Sequence, residues 1–503
     1  MKKIINGNSI PLSSIPLMEF DEFSSSIIKE TASGKRISSY FGVQAGKKGQ
    51  TDLFVILSDD KQNQLTAAKS VINGTSFPSI TPKCPQAHLF EREISEQFGL
   101  KAQGHPWFKP VCFTSSWTGV DAWGRSDDDL ILPAVGDFYR VEGEQVHEVA
   151  VGPVHAGVIE PGHFRFQCYG EEVYHLEIAL GFQHRGVEKA LIGGPNSRTL
   201  HYMETLAGDT TVGHTTSYCQ IAEALSQTQI SPRAQALRGI ALELERLANH
   251  IGDLGALSGD VGYLPTASFC GRIRGELLNM TAVLCGSRFG RGMVRPGGTG
   301  FDAEPDRVAD LLKRLAINEK EARDAINLLW ENQSVLARFE DTGALSMEKA
   351  VELGIVGPPA RAAGLSRDIR STHPSGIFKF AQIPVSTCDS GDVFARAYVR
   401  WMEIGHSFSF IRNQLDSLPS GPVLTQPGQL APESLAVSLN EGWRGEICHV
   451  GITDDKGLFV RYKVTDPSFH NWIALAQVLR NQEISDFPLC NKSFNLSYCG
   501  HDL

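Results

Sequence analysis

The segment that decides the fold runs from residue 147 to residue 224. It contains HEVAVGPVHAGVIEPGHFRF (147–166), LGFQHRGVEKAL (180–191) and HYMETLAGDTTVGHTTSYCQIAEA (201–224). Polar residues suited to redox and proton chemistry are densest here. A β-branched run before the first glycine and an alternating run after the last proline predict two strands joined by a loop.

The loop of this hairpin concentrates titratable side chains, namely His155, Glu160, His163 and Arg165. Histidine titrates near neutral pH, and a loop can present it to a cleft, so proton transfer or ligand contact is one interpretation. Two histidines in a loop are more often ordinary surface residues. The residues alone leave both interpretations open.

Helical periodicity is clearest in SPRAQALRGIALELERLANHIGDLGAL (231–257). Ser231 suits the N-cap position, and the proline after it suits the first helical position. Glu243, Arg246 and His250 fall on one face of this helix and can form a salt-bridged edge. A second long amphipathic stretch (304–339) extends the predicted bundle, and LEIALGFQHRGVEKALIGG (176–194) can form one helix that carries His184 and Arg185.

The first 106 residues have the pattern of a small sheet with one amphipathic helix. RISSYFGVQ (36–44) and TDLFVILSDD (51–60) are predicted strands, separated by a glycine- and lysine-rich turn. The helix begins near residue 88 and stops at Gly99. Its charged residues are predicted to form a solvated face: Glu91, Arg92, Glu93 and Glu96.

Residues 107–146 have poor periodicity and clustered turn residues, which is typical of a long linker. This segment carries Trp107, Trp117 and Trp123. Because large aromatic side chains gain free energy from burial, we expect the linker to lie on the larger domain or on a partner.

Composition limits the classes of function. Of the 503 residues, 42% are hydrophobic and 21% charged, as in ordinary globular proteins, and the net charge of −10 argues against nucleic-acid binding.

No run approaches the roughly 20 apolar residues of a transmembrane helix, and the N-terminus does not resemble a signal peptide, so a cytoplasmic location is expected. The ten cysteines are scattered without a CxxC pair and are expected to be reduced. Neither a P-loop nor a G-x-G-x-x-G motif follows a strand, so direct NADH binding is not expected.

Several ordered motifs carry a family resemblance. GPVHAGVIEPGHFRF (152–166) and HRGVEK (184–189) resemble the opening signature of the large subunit of energy-converting (group 4) nickel-iron hydrogenases and of its relative, the quinone-site (49 kDa) subunit of respiratory complex I. The resemblance continues through ERLANH (245–250), GPPARAAGLSRDIR (357–370), CDSGDVFARAYVR (388–400) and SFNLSYCGHDL (493–503). FEREISEQFGLKAQGHP (90–106) resembles the complex I 30 kDa subunit, which is often fused ahead of the larger one.

The resemblance implies an α+β fold in three parts. Residues 1–106 would form a small α+β module like the 30 kDa subunit, and residues 107–146 a linker. Residues 147–503 would form a large, mainly helical domain like the hydrogenase large subunit, in which a helix bundle carries a peripheral antiparallel sheet.

The metal ligands of the hydrogenases are missing. Those enzymes hold nickel and iron with two CxxC pairs, because soft thiolates suit these metals. Alignment on His214 and Tyr218 places the first pair on Ala207 and Thr210. Alignment on Ser493 and Tyr498 places the second pair on Ser497 and Gly500, with Cys499 between them. The resemblance therefore implies a hydrogenase-like subunit that binds no metal.

By resemblance, the chain would be a subunit of a membrane-associated oxidoreductase complex and inactive when isolated. A small iron-sulfur subunit with a 4Fe–4S cluster and membrane antiporter-like subunits would be its partners, and the membrane would be reached only through them. Arg185, Arg246 and His250 would face the partner's cluster and tune its potential. His155, His163 and Glu160 would contact protons or a quinone.

Three functional hypotheses follow from these motifs. In the first, the subunit links electron transfer from the partner's cluster to a quinone-like acceptor or to ion translocation. The tyrosine that caps the quinone in complex I has no clear counterpart in METLAGDTTVGHT (203–215), which weakens the quinone version. In the second, the subunit is catalytically silent and has only a structural or coupling role in such a complex. In the third, it is a true hydrogenase subunit with an atypical metal site.

Overall fold

The structure is a computed structural model that describes residues 1–44, 49–126, 128–155 and 159–503. The predicted turn at 45–48 and part of the loop after residue 152 lie outside these ranges. Helices and antiparallel sheets are both abundant, in agreement with the predicted α+β class. Within the described ranges, no helix is long and apolar enough to cross a membrane.

The N-terminal residues build a sheet with the strand order β1-β6-β5-β4, and β3 adds to β6 in parallel. The two predicted strands are confirmed, since β4 and β5 pair antiparallel. The first helix, α1, spans Phe20–Ala32, and α2 spans His88–Phe98 and ends as predicted at Gly99, whose φ is 67°. The strands are β1 (Lys2–Ile4), β2 (Ser9–Pro11), β3 (Leu17–Met18), β4 (Arg36–Gln44), β5 (Gln50–Asp59), β6 (Gln64–Asn73), β7 (Ser76–Pro78) and β8 (Lys101–Gln103).

The prediction of a solvated charged face on α2 is wrong, because Glu91, Arg92, Glu93 and Glu96 are all buried. Each side chain has polar partners from other parts of the chain, and these partners offset the free-energy cost of burying a charge. These partners are the Thr81 hydroxyl for Glu91, the Lys109 and Pro110 carbonyls for Arg92, the Lys463 ammonium for Glu93, and the Val111 and Cys112 amides for Glu96.

The linker lies against the rest of the chain, as its tryptophans predicted. The Trp117 ring packs on Phe98, with 5.6 Å between the centroids, and the Arg461 guanidinium lies 4.4 Å from the Trp117 centroid. Trp123 stacks on Phe108 at 4.6 Å. Among the described residues of 107–145, the backbone forms no helix or strand.

The predicted hairpin that opens the larger part of the chain is confirmed. Strands β9 (Val146–Val151), β10 (His163–Tyr169) and β11 (Glu172–Ala179) form an antiparallel sheet in the order β11-β10-β9. The loop with His155 and Glu160 connects β9 to β10.

The prediction of one helix over 176–194 is wrong. Its first residues belong to β11, and helical structure is confined to α3 (Val187–Ala190). Gly181 and Gly186 have φ values of 98° and 64°, which a continuous helix cannot include. The Asp502 carboxylate also accepts the N–H groups of Gly181 and Gln183 at 2.9 Å. His184 and Arg185 therefore lie in a loop.

The helix bundle centres on α6, which packs against α7 and α13. As predicted, the Ser231 hydroxyl caps α6 by accepting the Ala234 N–H at 3.1 Å. The remaining helices are α4 (Thr199–Met203), α5 (Thr211–Ser226), α6 (Pro232–Asp260), α7 (Leu264–Cys285), α8 (Pro305–Trp330), α9 (Gln333–Phe339), α10 (Met347–Glu352), α11 (Gly357–Ala362), α12 (Ile369–Thr372), α13 (Val393–Asp416), α14 (Pro467–Val478), α15 (Phe487–Phe494) and α16 (Tyr498–His501).

A second sheet joins the two ends of the chain. Its order is β16-β15-β14-β2, so the N-terminal strand β2 completes a sheet whose other members lie beyond residue 430. Lys463 on β16 reaches Glu93 of α2 at 2.6 Å and Glu188 of α3 at 3.0 Å. The remaining strands are β12 (Val294–Arg295), β13 (Gly298–Thr299), β14 (Ser434–Gly442), β15 (Gly445–Thr453) and β16 (Phe459–Thr465).

These contacts cross the predicted boundary at residue 106, and they yield a stability prediction. Lys463→Met is expected to lower the free energy of unfolding by about 3–5 kcal/mol, because Glu93 and Glu188 would lose their shared buried cation. Urea titration followed by circular dichroism measures the change. Lys456→Met is the control: this lysine is exposed nearby, so we expect a change within about 0.5 kcal/mol. Equal effects of the two substitutions would contradict a buried ion pair.

Candidate functional site

The structure brings together the two segments that are predicted to align with the metal-binding motifs of the hydrogenases. The first, 207–210, lies between α4 and α5, and the second, 497–500, begins α16. Ala207, Thr210, Ser497 and Gly500 are all buried. The Cys499 sulfur interacts with the Gly208 backbone and lies 3.4 Å from the Ser497 hydroxyl. The buried junction of the two segments is the candidate site.

The side chains at the four positions do not fit a nickel-iron centre. Ala207 and Gly500 offer no donor atom. The Ser497 hydroxyl accepts the Gly500 N–H at 2.9 Å, and the Thr210 hydroxyl interacts with Arg444 at 3.3 Å. Hydroxyl groups engaged in this way cannot replace thiolates. Across the part of the chain that the structure describes, no three His, Cys, Asp or Glu side chains are grouped so that they could hold a metal ion.

A guanidinium group links the two segments. Arg444 contacts the Asp209 carboxylate with two nitrogens, at 2.5 and 2.8 Å, and donates to the Asn495 carbonyl at 2.5 Å. Burial alone would raise the pKa of Asp209, but the charge of Arg444 and its hydrogen bonds hold that pKa below its usual value. The junction therefore contains a fixed cation paired with a carboxylate.

Of the three residues predicted for proton or quinone contacts, Glu160 reaches this junction. Its carboxylate accepts the Tyr498 N–H at 3.3 Å and is hydrogen-bonded to the Cys499 thiol. Burial, and then the charge of Glu160, raise the pKa of Cys499 to about 11, so the thiol is protonated at neutral pH.

The two predicted histidines are bonded within their own loop. His155 Nε2 lies 2.9 Å from the Gly162 carbonyl, and His163 Nδ1 lies 3.3 Å from the Gly152 carbonyl. Burial lowers the pKa of His163. The proposed proton or quinone roles of His155 and His163 stay predictions.

A chain of buried polar side chains ends at the same junction. Tyr462 on β16 hydrogen-bonds His449 on β15 at 2.9 Å, and His449 Nε2 lies 3.1 Å from Nδ1 of His214 on α5. His214 Nε2 lies 2.9 Å from the carboxylate of Asp466, which caps α14. All four side chains are at most 1% exposed. A Cβ added at Gly500 would stand 2.7 Å from the Asp466 carboxyl carbon, so the chain ends against the second segment.

The surroundings of this chain lower the pKa values of Asp466 and His449. Burial would raise the pKa of Asp466, but the hydrogen bond and charge of His214 bring it below its usual value. Burial, and then the charge of His214, hold the pKa of His449 well below its usual value, so this ring is neutral. A neutral imidazole carries one donor and one acceptor nitrogen, which allows it to pass a proton between its neighbours.

The residues predicted to face a partner's cluster fall into two groups. Arg246 and His250 are fully buried within α6, and the Glu243–Arg246 salt bridge, 3.1 Å, is in the core and not on a helix edge. His250 Nε2 lies 2.9 Å from Glu403, yet burial lowers the pKa of His250. Arg185 is exposed, and it donates to the carbonyls of 205 and 206, directly before the first segment.

Sequence reasoning missed Arg444, His449, Tyr462 and Asp466. The signal for His449 is a histidine inside the apolar strand pattern ICHVGI (447–452). The remaining residues carry no local pattern, because their partners lie in distant parts of the chain.

Comparisons with known proteins agree with this architecture. Residues 20–123 match the family described as respiratory-chain NADH dehydrogenase, 30 Kd subunit, and residues 260–434 match its 49 Kd counterpart. Carbon monoxide-induced hydrogenase of Rhodospirillum rubrum is 30% identical over 69% of this chain and 97% of its own length. Formate hydrogenlyase subunit 5 of Escherichia coli is 28% identical over 92% of this chain and 84% of its own length. The fused C/D polypeptide of the NADH-quinone oxidoreductase of Acidiphilium cryptum is 24% identical over 85% of this chain and 80% of its own length. The chain therefore belongs to the superfamily of complex I 49 kDa subunits and energy-converting hydrogenase large subunits, with a 30 kDa-type module fused at its N-terminus.

Proposed function

We propose that this chain is a subunit of a membrane-associated oxidoreductase complex in which the former metal site serves proton transfer to a quinone-like acceptor. The observation that carries this proposal is the buried chain from Tyr462 through His449 and His214 to Asp466, which ends at the two degenerate segments. Electrons would come from a 4Fe–4S cluster in a small partner subunit. Hydrogenase metal chemistry would be absent.

The reduction of a quinone requires protons, which supports a proton route at the buried junction. Reduction of a quinone to a quinol consumes two electrons and two protons, so an electron route without a proton supply leaves an uncompensated dianion. Histidine rings can relay protons because one nitrogen accepts while the other donates. Glu160, beside Cys499, lies at the same junction and is a second proton donor or acceptor for it.

The surroundings of the chain follow from the same proposal. The subunit would sit peripherally on the cytoplasmic face of the membrane, and antiporter-like partner subunits would carry ion translocation. NADH would not bind this chain directly. The isolated chain would be inactive, since neither the cluster nor the membrane partners are present.

A second candidate function is that of a catalytically silent coupling or scaffold subunit. The observation that favours it is the internal pairing of the junction, where the Arg444 guanidinium is bonded to Asp209 and Asn495. A site whose polar atoms bond to one another needs no ligand.

The two functions differ in what happens to a reduced cluster. The complex would be purified from native membranes through a tag on this chain, reduced with dithionite and freed of excess reductant. Stopped-flow mixing with a short-chain quinone would then follow reoxidation at the iron-sulfur absorption band. Quinone-dependent reoxidation supports the proposal, whereas reoxidation that is independent of quinone favours the scaffold.

His214→Asn is expected to slow this reoxidation by roughly 100-fold, because loss of a positioned general acid–base group costs on the order of 10²–10⁴ in rate. The matched control is His201→Asn, a substitution of an exposed histidine on α4 that should leave the rate unchanged. Both complexes must first be shown to be fully assembled by size-exclusion chromatography. Equal rates for the two assembled variants would refute a proton route through His214.

The purified complex should contain no stoichiometric nickel, because none of the four aligned positions of this chain carries sulfur. Elemental analysis of nickel and iron in the same sample checks this expectation, and iron from the partner's cluster serves as the internal standard. Nickel near one equivalent per chain would restore the hypothesis of an atypical hydrogenase.

Arg185→Gln is expected to lower the potential of the partner's cluster by about 40 mV, since an exposed cation at several ångströms contributes on the order of 1 kcal/mol. Potentiometric EPR titration of the complex measures the midpoint. Lys189→Gln, which removes an exposed cation four residues further along the chain, is the control and should change the midpoint less. An unchanged midpoint for Arg185→Gln would remove this residue from the cluster-facing surface.

A further inference from the structure

A cavity of about 440 Å³ is lined by residues of both the N-terminal module and the larger domain, and none of Tyr462, His449, His214 and Asp466 lines it. Helix α2, the linker, β11 and α14 contribute its walls. Its lining is dominated by large aromatic side chains: Trp107, Phe108, Trp123, Phe138 and Trp472. A volume of this size is typical of sites for small organic molecules.

One buried cation in the wall of this cavity lacks a full set of partners. Arg92 is 6% exposed, and its Nε and Nη2 atoms donate to the carbonyls of Lys109 and Pro110 at 2.7 and 2.8 Å. Its Nη1 atom is buried and has no hydrogen-bond partner within the described ranges. The guanidinium lies over the Trp107 ring, 4.3 Å from its centroid. A buried charged donor without a hydrogen bond costs free energy, so an acceptor at this nitrogen would stabilise the site.

The acids near Arg92 are engaged elsewhere. The Glu177 carboxylate accepts from Lys109 Nζ at 2.5 Å and from the Tyr139 N–H at 2.8 Å. The Glu96 carboxylate accepts backbone N–H groups of the linker and pairs with Arg125 at 3.3 Å. Among the residues that the structure describes, no carboxylate forms a salt bridge with Arg92. Burial therefore lowers the pKa of Arg92 to about 10, against the weaker influence of these acids.

We propose that this cavity binds a small planar aromatic carboxylate, whose anionic group bonds to Arg92 Nη1 and whose ring packs against the aromatic wall. The anion supplies the charge and the acceptor that the protein does not provide, and the ring replaces water against tryptophan and phenylalanine faces. A neutral ring with carbonyl groups would satisfy the donor but would leave the charge uncompensated. This site shares no side chain with the proposed proton route, so each proposal can be tested independently of the other.

The test uses two probes that share a naphthalene ring, the anionic 2-naphthoate and the neutral 2-naphthalenemethanol, titrated into the full-length chain by isothermal calorimetry. We expect 2-naphthoate to bind about tenfold more tightly than the neutral alcohol, because a charge-assisted hydrogen bond contributes on the order of 1.5–3 kcal/mol. Arg92→Met should weaken 2-naphthoate binding by a similar factor and leave binding of the alcohol unchanged. Arg125→Met is the control, since Arg125 also lines the cavity but is already paired with Asp121 and Glu96.

A second variant keeps the proposal testable if Arg92→Met does not fold. Gly136 lines the cavity, and a Cβ added there meets no atom within 4 Å, so the side chain of Gly136→Leu would begin in open space at the cavity wall. It should weaken binding of both probes while Arg92 remains in place. Equal affinity of the unmodified chain for the two probes, or no saturable heat with 2-naphthoate up to about 1 mM, would overturn the proposal. So would unchanged binding in a folded Arg92→Met variant.

Discussion

The buried guanidinium of Arg444 is the constraint on which the candidate site depends. It joins residues that are far apart in sequence, Asp209 in the first degenerate segment and Asn495 just before the second. A buried guanidinium requires an anion and acceptors in fixed positions, so the segments cannot move apart without exposing an unpaired charge. The β14–β15 hairpin delivers Arg444, and its turn residue Gly445 has a φ of 133°, where an added Cβ would stand 2.8 Å from the Gly357 Cα. The two segments are thus joined through Arg444, by an ion pair to Asp209 and a hydrogen bond to the Asn495 carbonyl.

Local signals made much of the framework predictable from the sequence. The Ser231 cap with its following proline defines the start of α6, and Gly99 defines the end of α2, because capping depends on residues within one turn. The β9–β10 hairpin follows from alternating residues on both sides of a glycine- and proline-rich loop. In each case the deciding contacts are close in sequence.

Long-range pairing explains what the sequence could not indicate. The charges of α2 look like a solvated face by periodicity, yet Glu93 is buried against Lys463, 370 residues away. His214 meets His449 and Asp466 across 235 and 252 residues, and neither separation leaves a pattern in a single sequence. The segment 176–194 has helical periodicity, but the carboxylate of Asp502 near the chain end binds its backbone in a non-helical form. Tertiary contacts overrode local propensity at each of these positions.

The retention of a buried polar chain bears on whether the site still functions. Tyr462, His449, His214 and Asp466 pack in the core with almost no exposure, and burial of such groups costs free energy unless each is bonded. Apolar residues of similar volume are often neutral or stabilising in place of a buried hydrogen-bonded pair such as His214–Asp466. A scaffold therefore has no energetic need for two adjacent imidazoles, one of which is held neutral by its surroundings. Proton transfer does need them, because it requires a donor and an acceptor nitrogen on the same ring. On this argument, the buried polar chain beside the junction favours the proposed proton route over a purely structural role.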